Sequence, residues 1–238
     1  ALLLAVCLDS GKQSIITPTY ENVNVLYVNL ERSEKGLGIR LGMLNDALGL
    51  ERTRPLRMVH ARGKTLTALS TSIRSIIDKE GIDLVILDSL SRSGASLIDD
   101  VQVNRTMDTL NSFQCAWFAI GHTARNGGGS NVFGSVMQDA AADAIFRLEG
   151  AHDGDVMFQR LTLTKANDFN LKEPIAYRWV MPKTQTDEGW FTDIQGIYHM
   201  SPEDFPEAEE VEEKSATTAE LSNEQLDYIW NEGSVTPS

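Results

Sequence analysis

Three polar residues stand at the ends of short apolar runs and could act together. Glu31 follows Val-Leu-Tyr-Val-Asn-Leu, Asp88 follows Leu-Val-Ile-Leu, and His122 follows Ala-Trp-Phe-Ala-Ile-Gly. Runs this apolar are typical of strands buried on both faces of a parallel sheet, whose carboxyl ends lie at one ligand-binding edge. A general base, a metal-binding carboxylate and a polar group that contacts phosphate are the side chains that nucleoside triphosphate hydrolysis requires.

The segments between these runs have the periodicity of helices. Helices are predicted over 33–48, 65–79 and 99–113, with Ser33 as an N-cap and Gly81 as a stop signal. Strand and helix therefore alternate, which predicts an α/β fold. Further strands are predicted at 56–59, 144–148, 157–164, 175–180 and 190–198, the last four of them joined as hairpins.

The order and spacing of these motifs resemble the RecA-like ATPases, in particular the DnaB and RepA type of hexameric helicase and the related AAA family ATPases of phages and plasmids. Residues 133–149 resemble the family's succession of Gly-Ser, Ala-Asp, apolar strand and Arg, and residues 161–167 resemble the strand that carries an interface Lys. The resemblance covers roughly residues 1–182. It implies a mostly parallel sheet flanked by helices and extended by antiparallel strands.

The resemblance assigns roles to the residues at the strand ends. It implies that Glu31 orients and deprotonates the attacking water, and that Asp88, followed by Ser89, binds Mg²⁺ and ATP. It further implies that His122 senses the γ-phosphate. The cofactors expected on this basis are ATP and Mg²⁺.

The resemblance also points to charges supplied to a neighbouring subunit. Lys165 ends an apolar strand, as the family's interface lysine does, and Arg147 is a candidate arginine finger. Arg147 could instead form a surface ion pair with Glu149. The family's usual assembly implies a homo-oligomer, expected to be a hexameric ring.

A glycine-rich loop directly after His122 is the candidate nucleic-acid contact. It contains Arg125 and the three glycines Gly127, Gly128 and Gly129. The resemblance implies that this loop faces a central channel and contacts DNA, expected to be single-stranded, through its charge and its backbone N–H groups. The alternative is a flexible surface connection.

The sequence has no phosphate-binding motif of the form Gly-x-x-x-x-Gly-Lys-Ser/Thr. The segment Ser-Gly-Lys-Gln-Ser at 10–14 does not qualify, because Val6 stands at the first glycine position and Gln13 at the hydroxyl position. We expect residues 1–200 to be a RecA-like core that lacks its first strand and phosphate loop, truncated just after the motif. A degenerate protein that has lost ATP binding is the alternative. The sequence as it stands is expected to hydrolyse ATP very slowly.

Most of the net charge of −13 belongs to the last 38 residues. Residues 201–238 contain 11 acidic residues and one lysine, whereas residues 1–200 contain 23 acidic and 20 basic residues. Such a segment cannot bury enough apolar surface to fold alone, so it is predicted to be a disordered acidic tail. A short helix over 222–232, with Trp230 on its apolar face, would either fray or dock on a partner protein.

Composition excludes some classes of protein. No apolar run approaches the ~18 residues that a membrane-spanning helix needs, and both cysteines, Cys7 and Cys115, lie in apolar runs. A reducing, cytoplasmic location is therefore expected. The whole pattern predicts an ATP-dependent DNA-acting motor, either a RepA-like helicase or a replication or repair ATPase. The alternative is a non-catalytic RecA-fold module that regulates or scaffolds a replication complex.

Overall fold

The computed structural model describes residues 1–20, 23–94, 99–122, 140–168, 170–186 and 189–206. All of them belong to one compact unit, Ala1–Pro206. The helices are α1 (Leu2–Ser10), α2 (Glu34–Ala47), α3 (Leu66–Glu80) and α4 (Asp100–Asn111), with 3₁₀ turns at Leu90–Arg92 and Pro202–Asp204. The strands are β1 (Val25–Asn29), β2 (Met58–His60), β3 (Leu84–Asp88), β4 (Ala116–Ala119), β5 (Ala144–Asp153), β6 (Val156–Ala166), β7 (Ile175–Val180), β8 (Lys183–Thr186), β9 (Gly189–Thr192) and β10 (Gly196–Met200).

The first four strands form a parallel sheet in the order β2-β1-β3-β4. Asn29 of β1 is the cross-strand neighbour of Asp88, and Leu87 of β3 is the neighbour of Ala119. The carboxyl ends of β1, β3 and β4 therefore lie at one edge of the sheet. This arrangement confirms the predicted α/β class.

Local capping chemistry fixes the ends of the flanking helices. The side chains of Ser33, Thr65 and Asp99 each accept a hydrogen bond from a backbone N–H two or three residues further on. Gly81 ends α3 in the left-handed conformation, at φ +61°. These caps agree with the helix boundaries predicted from the sequence to within one or two residues.

Apolar side chains alternate between the two faces of the parallel sheet. Leu26 and Val28 of β1 belong to the core that α3 and α4 cover, whereas Val25 and Tyr27 belong to the core that α1 and α2 cover. All four side chains are at most 2% exposed. Burial on both faces explains why the β1 run is almost continuously apolar.

Helix α1 lies between the parallel sheet and a second, antiparallel sheet. Its Ala5 and Val6 pack against the parallel sheet, while Leu3 and Cys7 contact the cluster formed around Tyr177. A helix with partners on opposite sides needs apolar residues all round, which is the composition of α1.

The antiparallel strands differ from the expectation in two respects. They form a separate sheet in the order β10-β7-β6-β5, rather than an extension of the parallel one. The predicted strand 190–198 is two strands with residues 193–195 between them, where the carboxylate of Asp193 accepts the N–H of Ile194. Strand β9 then pairs with β8, and β10 pairs with β7.

The start of the predicted acidic tail belongs to the described fold. Residues 202–204 form a 3₁₀ turn capped by Ser201, and the ring of Phe205 is 8% exposed. The guanidinium of Arg160 lies 4.5 Å from the centroid of that ring, so an aromatic anchor holds a segment whose charge alone predicted disorder. The rest of the tail, 207–238, including the predicted helix 222–232, lies outside the described residues.

In the part of the chain that the structure describes, no helix combines the length and apolar character needed to cross a membrane.

Candidate functional site

The three predicted strand-end residues converge at the carboxyl edge of the parallel sheet. Nε2 of His122 lies 3.9 Å from Oε2 of Glu31. The same carboxylate oxygen accepts a hydrogen bond of 2.9 Å from the hydroxyl of Ser89, the residue next to Asp88. The sequence therefore predicted correctly that these groups share one edge.

Backbone pairing continues beyond the strands and carries these side chains to the edge. The N–H of Leu30 donates to the carbonyl of Asp88 at 2.8 Å, and the N–H of Ile120 donates to the carbonyl of Leu87 at 3.0 Å. The carbonyl of Ile120 in turn accepts from the N–H of Leu90 at 2.9 Å. Each of the three strand ends is thus tied to its neighbour within two residues of its polar group.

The Asp88 carboxylate is held by a tyrosine that the sequence interpretation did not single out. The Tyr27 hydroxyl donates to Oδ2 of Asp88 at 2.5 Å, and the Tyr27 side chain is 1% exposed. Burial, followed by this hydrogen bond, raises the pKa of Tyr27 well above its usual range, so the phenol remains a donor. The peptide bond between Asp88 and Ser89 is cis.

Ser89, the residue after Asp88, contacts the predicted base. Its hydroxyl donates to Glu31, and its Oγ is 2.8 Å from Oγ of Ser91. The sequence predicts Ser89 as a cofactor-binding residue on the strength of its place after Asp88. That role stays a prediction, and the structure adds a contact that orients Glu31.

Asn29 shapes the turn that carries Glu31. The side chain is fully buried, and its Oδ1 accepts from the N–H groups of Glu31 at 3.2 Å and Arg32 at 2.9 Å. Its Nδ2 donates to the carbonyl of Arg32 at 2.8 Å and lies 3.3 Å from Nδ1 of His60. One amide therefore ties the Glu31 turn to strand β2. The signal in the sequence is a single polar amide inside an apolar strand, two residues before the carboxylate.

The N-terminus of α1 lies close to Asp88. The negative charge of Asp88 acts electrostatically on the backbone nitrogen of Ala1, the residue that precedes α1. The first turn of a helix presents unpaired N–H groups and partial positive charge, which favour anions. A phosphate near the start of α1 would therefore also be near Asp88.

Asp88 fits a largely hydrated Mg²⁺. Within the described ranges, no cluster of three or more His, Cys, Asp or Glu side chains could hold a metal ion on its own. Mg²⁺ prefers one or two carboxylates together with water and nucleotide phosphates. Tyr27 donates to Oδ2 of Asp88, so Oδ1 is the oxygen that would bind such an ion.

The two candidate trans-acting cations lie in the antiparallel sheet and have partners there. Nζ of Lys165 donates to the carbonyl of Ala142 at 2.7 Å. Nη2 of Arg147 is 3.3 Å from Oε1 of Glu149, which is the ion pair considered as the alternative from the sequence. Nε of Arg160 donates to the same carboxylate at 2.9 Å, and this hydrogen bond is the main reason that the pKa of Glu149 is lowered. The action of Lys165 and Arg147 on a neighbouring subunit stays a prediction.

The candidate DNA-contacting residues Arg125, Gly127, Gly128 and Gly129 fall in the segment 123–139, outside the described residues.

Comparison with known families identifies one match. A family model described as an AAA domain matches residues 1–128, a stretch that contains Glu31, Asp88 and His122. No curated protein matches the chain.

Proposed function

The chain belongs to the AAA domain family of P-loop ATPases, and from this premise we propose that it is an ATP-dependent motor acting on DNA, of the RecA-like helicase or replication and repair type. The observation that carries the proposal is the contact between Glu31, Ser89 and His122 beside Asp88, next to the start of α1. A core built only for stability has no need of these four polar groups at one edge.

Each group has a definite task in the proposed mechanism. Glu31 orients the attacking water and accepts its proton, while Ser89 holds Oε2 of that carboxylate. Asp88 would hold a hydrated Mg²⁺, which would supply positive charge to offset that of the phosphates. His122, whose Nε2 lies 3.9 Å from Oε2 of Glu31, would contact the γ-phosphate.

The phosphate-binding loop is the part of the proposal that residues 1–238 do not supply, since they contain no Gly-x-x-x-x-Gly-Lys-Ser/Thr. Among the described strands, β4 is at the edge of the parallel sheet and pairs only with β3. Its Trp117 and Phe118 nevertheless pack on opposite faces, as in an interior strand. A parallel strand that leads into a phosphate-binding loop would fit at this edge.

The proposal extends to partners by family resemblance. Subunits form a homo-oligomeric ring in which Lys165, with Arg147, reaches the neighbour's nucleotide. The loop that contains Arg125 contacts single-stranded DNA, the acidic tail docks on a protein partner, and the assembly acts in the cytoplasm.

Substitution of the proposed base tests the enzymatic part. In the full-length gene product, Glu31→Gln is expected to lower ATP turnover by roughly 10²–10⁴-fold, because general base catalysis is lost, while ATP binding persists. Glu34→Gln, in the first turn of α2, is the matched control and should hydrolyse ATP normally. Unchanged ATP turnover in Glu31→Gln would contradict the assignment of Glu31 as the general base. A wild-type protein that neither binds nor hydrolyses ATP would favour the non-catalytic scaffold.

A salt titration tests the DNA part. Arg125→Ala is expected to weaken binding to single-stranded DNA and to reduce the slope of log affinity against log salt by about 1, the loss of one phosphate contact. Arg40→Ala, an exposed charge on α2, serves as the control. An unaltered slope in Arg125→Ala would contradict the assignment of this loop as the DNA contact. If the protein hydrolyses ATP but does not bind DNA, it is an ATPase and not a DNA motor.

A further inference from the structure

We propose that Tyr27 is the positioning residue of the metal site: its hydroxyl fixes one oxygen of Asp88 so that the other faces a hydrated divalent cation. The inference rests on the proposed function, because it takes Asp88 as the metal carboxylate. Tyr27 itself contacts neither nucleotide nor metal in this scheme.

The register of β1 and β3 places Tyr27 beside Asp88. Tyr27 is the neighbour of Ile86, and Asn29 is the neighbour of Asp88, so Tyr27 and Asp88 point to the same face of the sheet at diagonal positions. A diagonal separation is within reach of an aromatic side chain. The resulting hydrogen bond of 2.5 Å joins residues 61 positions apart in the sequence.

The surroundings hold the tyrosine ring in place. Tyr27 is 1% exposed and belongs to a cluster with Ala5 and Val6 of α1 and Leu37 of α2. The hydroxyl therefore has a fixed position and a fixed direction from which to restrain Asp88.

This restraint matters because a lone carboxylate on a strand end can rotate. Within the described part of the chain, the Tyr27 hydroxyl is the hydrogen-bond donor to the Asp88 side chain. Groups that orient a metal ligand from behind typically contribute about 10–100-fold to metal affinity. Removing the hydroxyl while keeping the ring should therefore weaken metal binding and leave nucleotide binding unchanged.

The experiment uses Tyr27→Phe in the full-length protein, with Mn²⁺ as the probe ion because its binding can be followed by electron paramagnetic resonance. In the presence of ADP, the Kd for Mn²⁺ is expected to rise by about 10–100-fold. ADP binding without a divalent ion should be unchanged. Tyr177→Phe is the matched control, since Tyr177 is also buried but lies on β7, in the cluster on the other side of α1.

Asp88→Asn separates failure of this inference from failure of the proposed function. Weaker Mn²⁺ binding in Asp88→Asn with normal binding in Tyr27→Phe overturns the role of Tyr27 alone. Normal Mn²⁺ binding in both variants overturns the metal role of Asp88. Equal losses of Mn²⁺ affinity in Tyr27→Phe and Tyr177→Phe would mean a general loss of stability, and would likewise overturn the inference.

Discussion

Asn29 offers the sharpest test of how the site is built, because one buried amide organises the turn before the proposed base. In Asn29→Ala, four hydrogen bonds are lost: two from the N–H groups of Glu31 and Arg32, one to the carbonyl of Arg32, and one with Nδ1 of His60. At about 0.5–1.5 kcal/mol for each bond, the free energy of unfolding should fall by about 2–6 kcal/mol. Urea denaturation followed by circular dichroism measures this difference.

The same substitution should affect catalysis more than binding. Once the turn is free, Glu31 no longer has a fixed position, and misplacement of a catalytic group by about 1 Å can cost roughly 10²-fold in rate. We therefore expect Asn29→Ala to lower kcat by about 10–100-fold. The affinity for ATP should stay close to the wild-type value.

Asn45 provides the matched control for both measurements. It is also fully buried, and its Nδ2 donates to the carbonyls of Arg52 and Arg54, in the loop after α2. Asn45→Ala should lower stability by about 1–3 kcal/mol for the same reason, but it should leave kcat unchanged. The reasoning is refuted if Asn29→Ala and Asn45→Ala lower kcat equally, or if Asn29→Ala keeps full activity.

Three further predictions follow from local features of the fold. Gly94→Ala should destabilise the protein by about 1–3 kcal/mol, because Gly94 has φ +90° and an added Cβ would lie 2.2 Å from Cγ2 of Thr65; a wild-type denaturation midpoint would contradict this. Arg160→Gln should be less stable than wild type near neutral pH. The lowered pKa of Glu149 contributes stability above the ordinary value of 4.5, and that contribution disappears as pH falls through the folded pKa. The difference in stability between the two proteins should therefore narrow in acid to what the loss of the Arg160–Phe205 contact causes. Burial raises the pKa of Cys7 to about 11. Cys7 should therefore react with Ellman's reagent at pH 8 only after denaturation. Rapid labelling of Cys7 in the native protein would contradict its buried position between the two sheets.

Features that depend on neighbours in the sequence were predictable. Ser33 and Thr65 cap their helices through backbone groups three residues away, and Gly81 ends α3 by its own conformational freedom. The edge position of Glu31 and Asp88 was likewise predictable, because parallel strands share a carboxyl edge.

Features that depend on partners distant in the sequence were not predictable. Nothing near Tyr27 in the sequence identifies its acceptor, which lies on another strand. Asn29 had a local signal in its polarity, but its contact with His60 requires the pairing of β1 with β2. In both cases the role arises from the register between strands, which a single segment does not specify.

The separate antiparallel sheet was missed for a related reason. The alternation of residues in β6 and β7 indicates strands, but it does not determine whether these strands extend the parallel sheet or form a sheet of their own. The run 190–198 was predicted as one strand because its sequence does not show that its two halves pair with different strands, β8 and β7.

The position of helix α1 between the two sheets affects how the protein unfolds. Since its nine residues complete the apolar interior of both layers, melting of that helix would expose Tyr27 on one side and Tyr177 on the other. We therefore expect the two layers to lose protection against amide hydrogen exchange together rather than in sequence. A helix of nine residues would then determine whether the compact unit Ala1–Pro206 unfolds cooperatively.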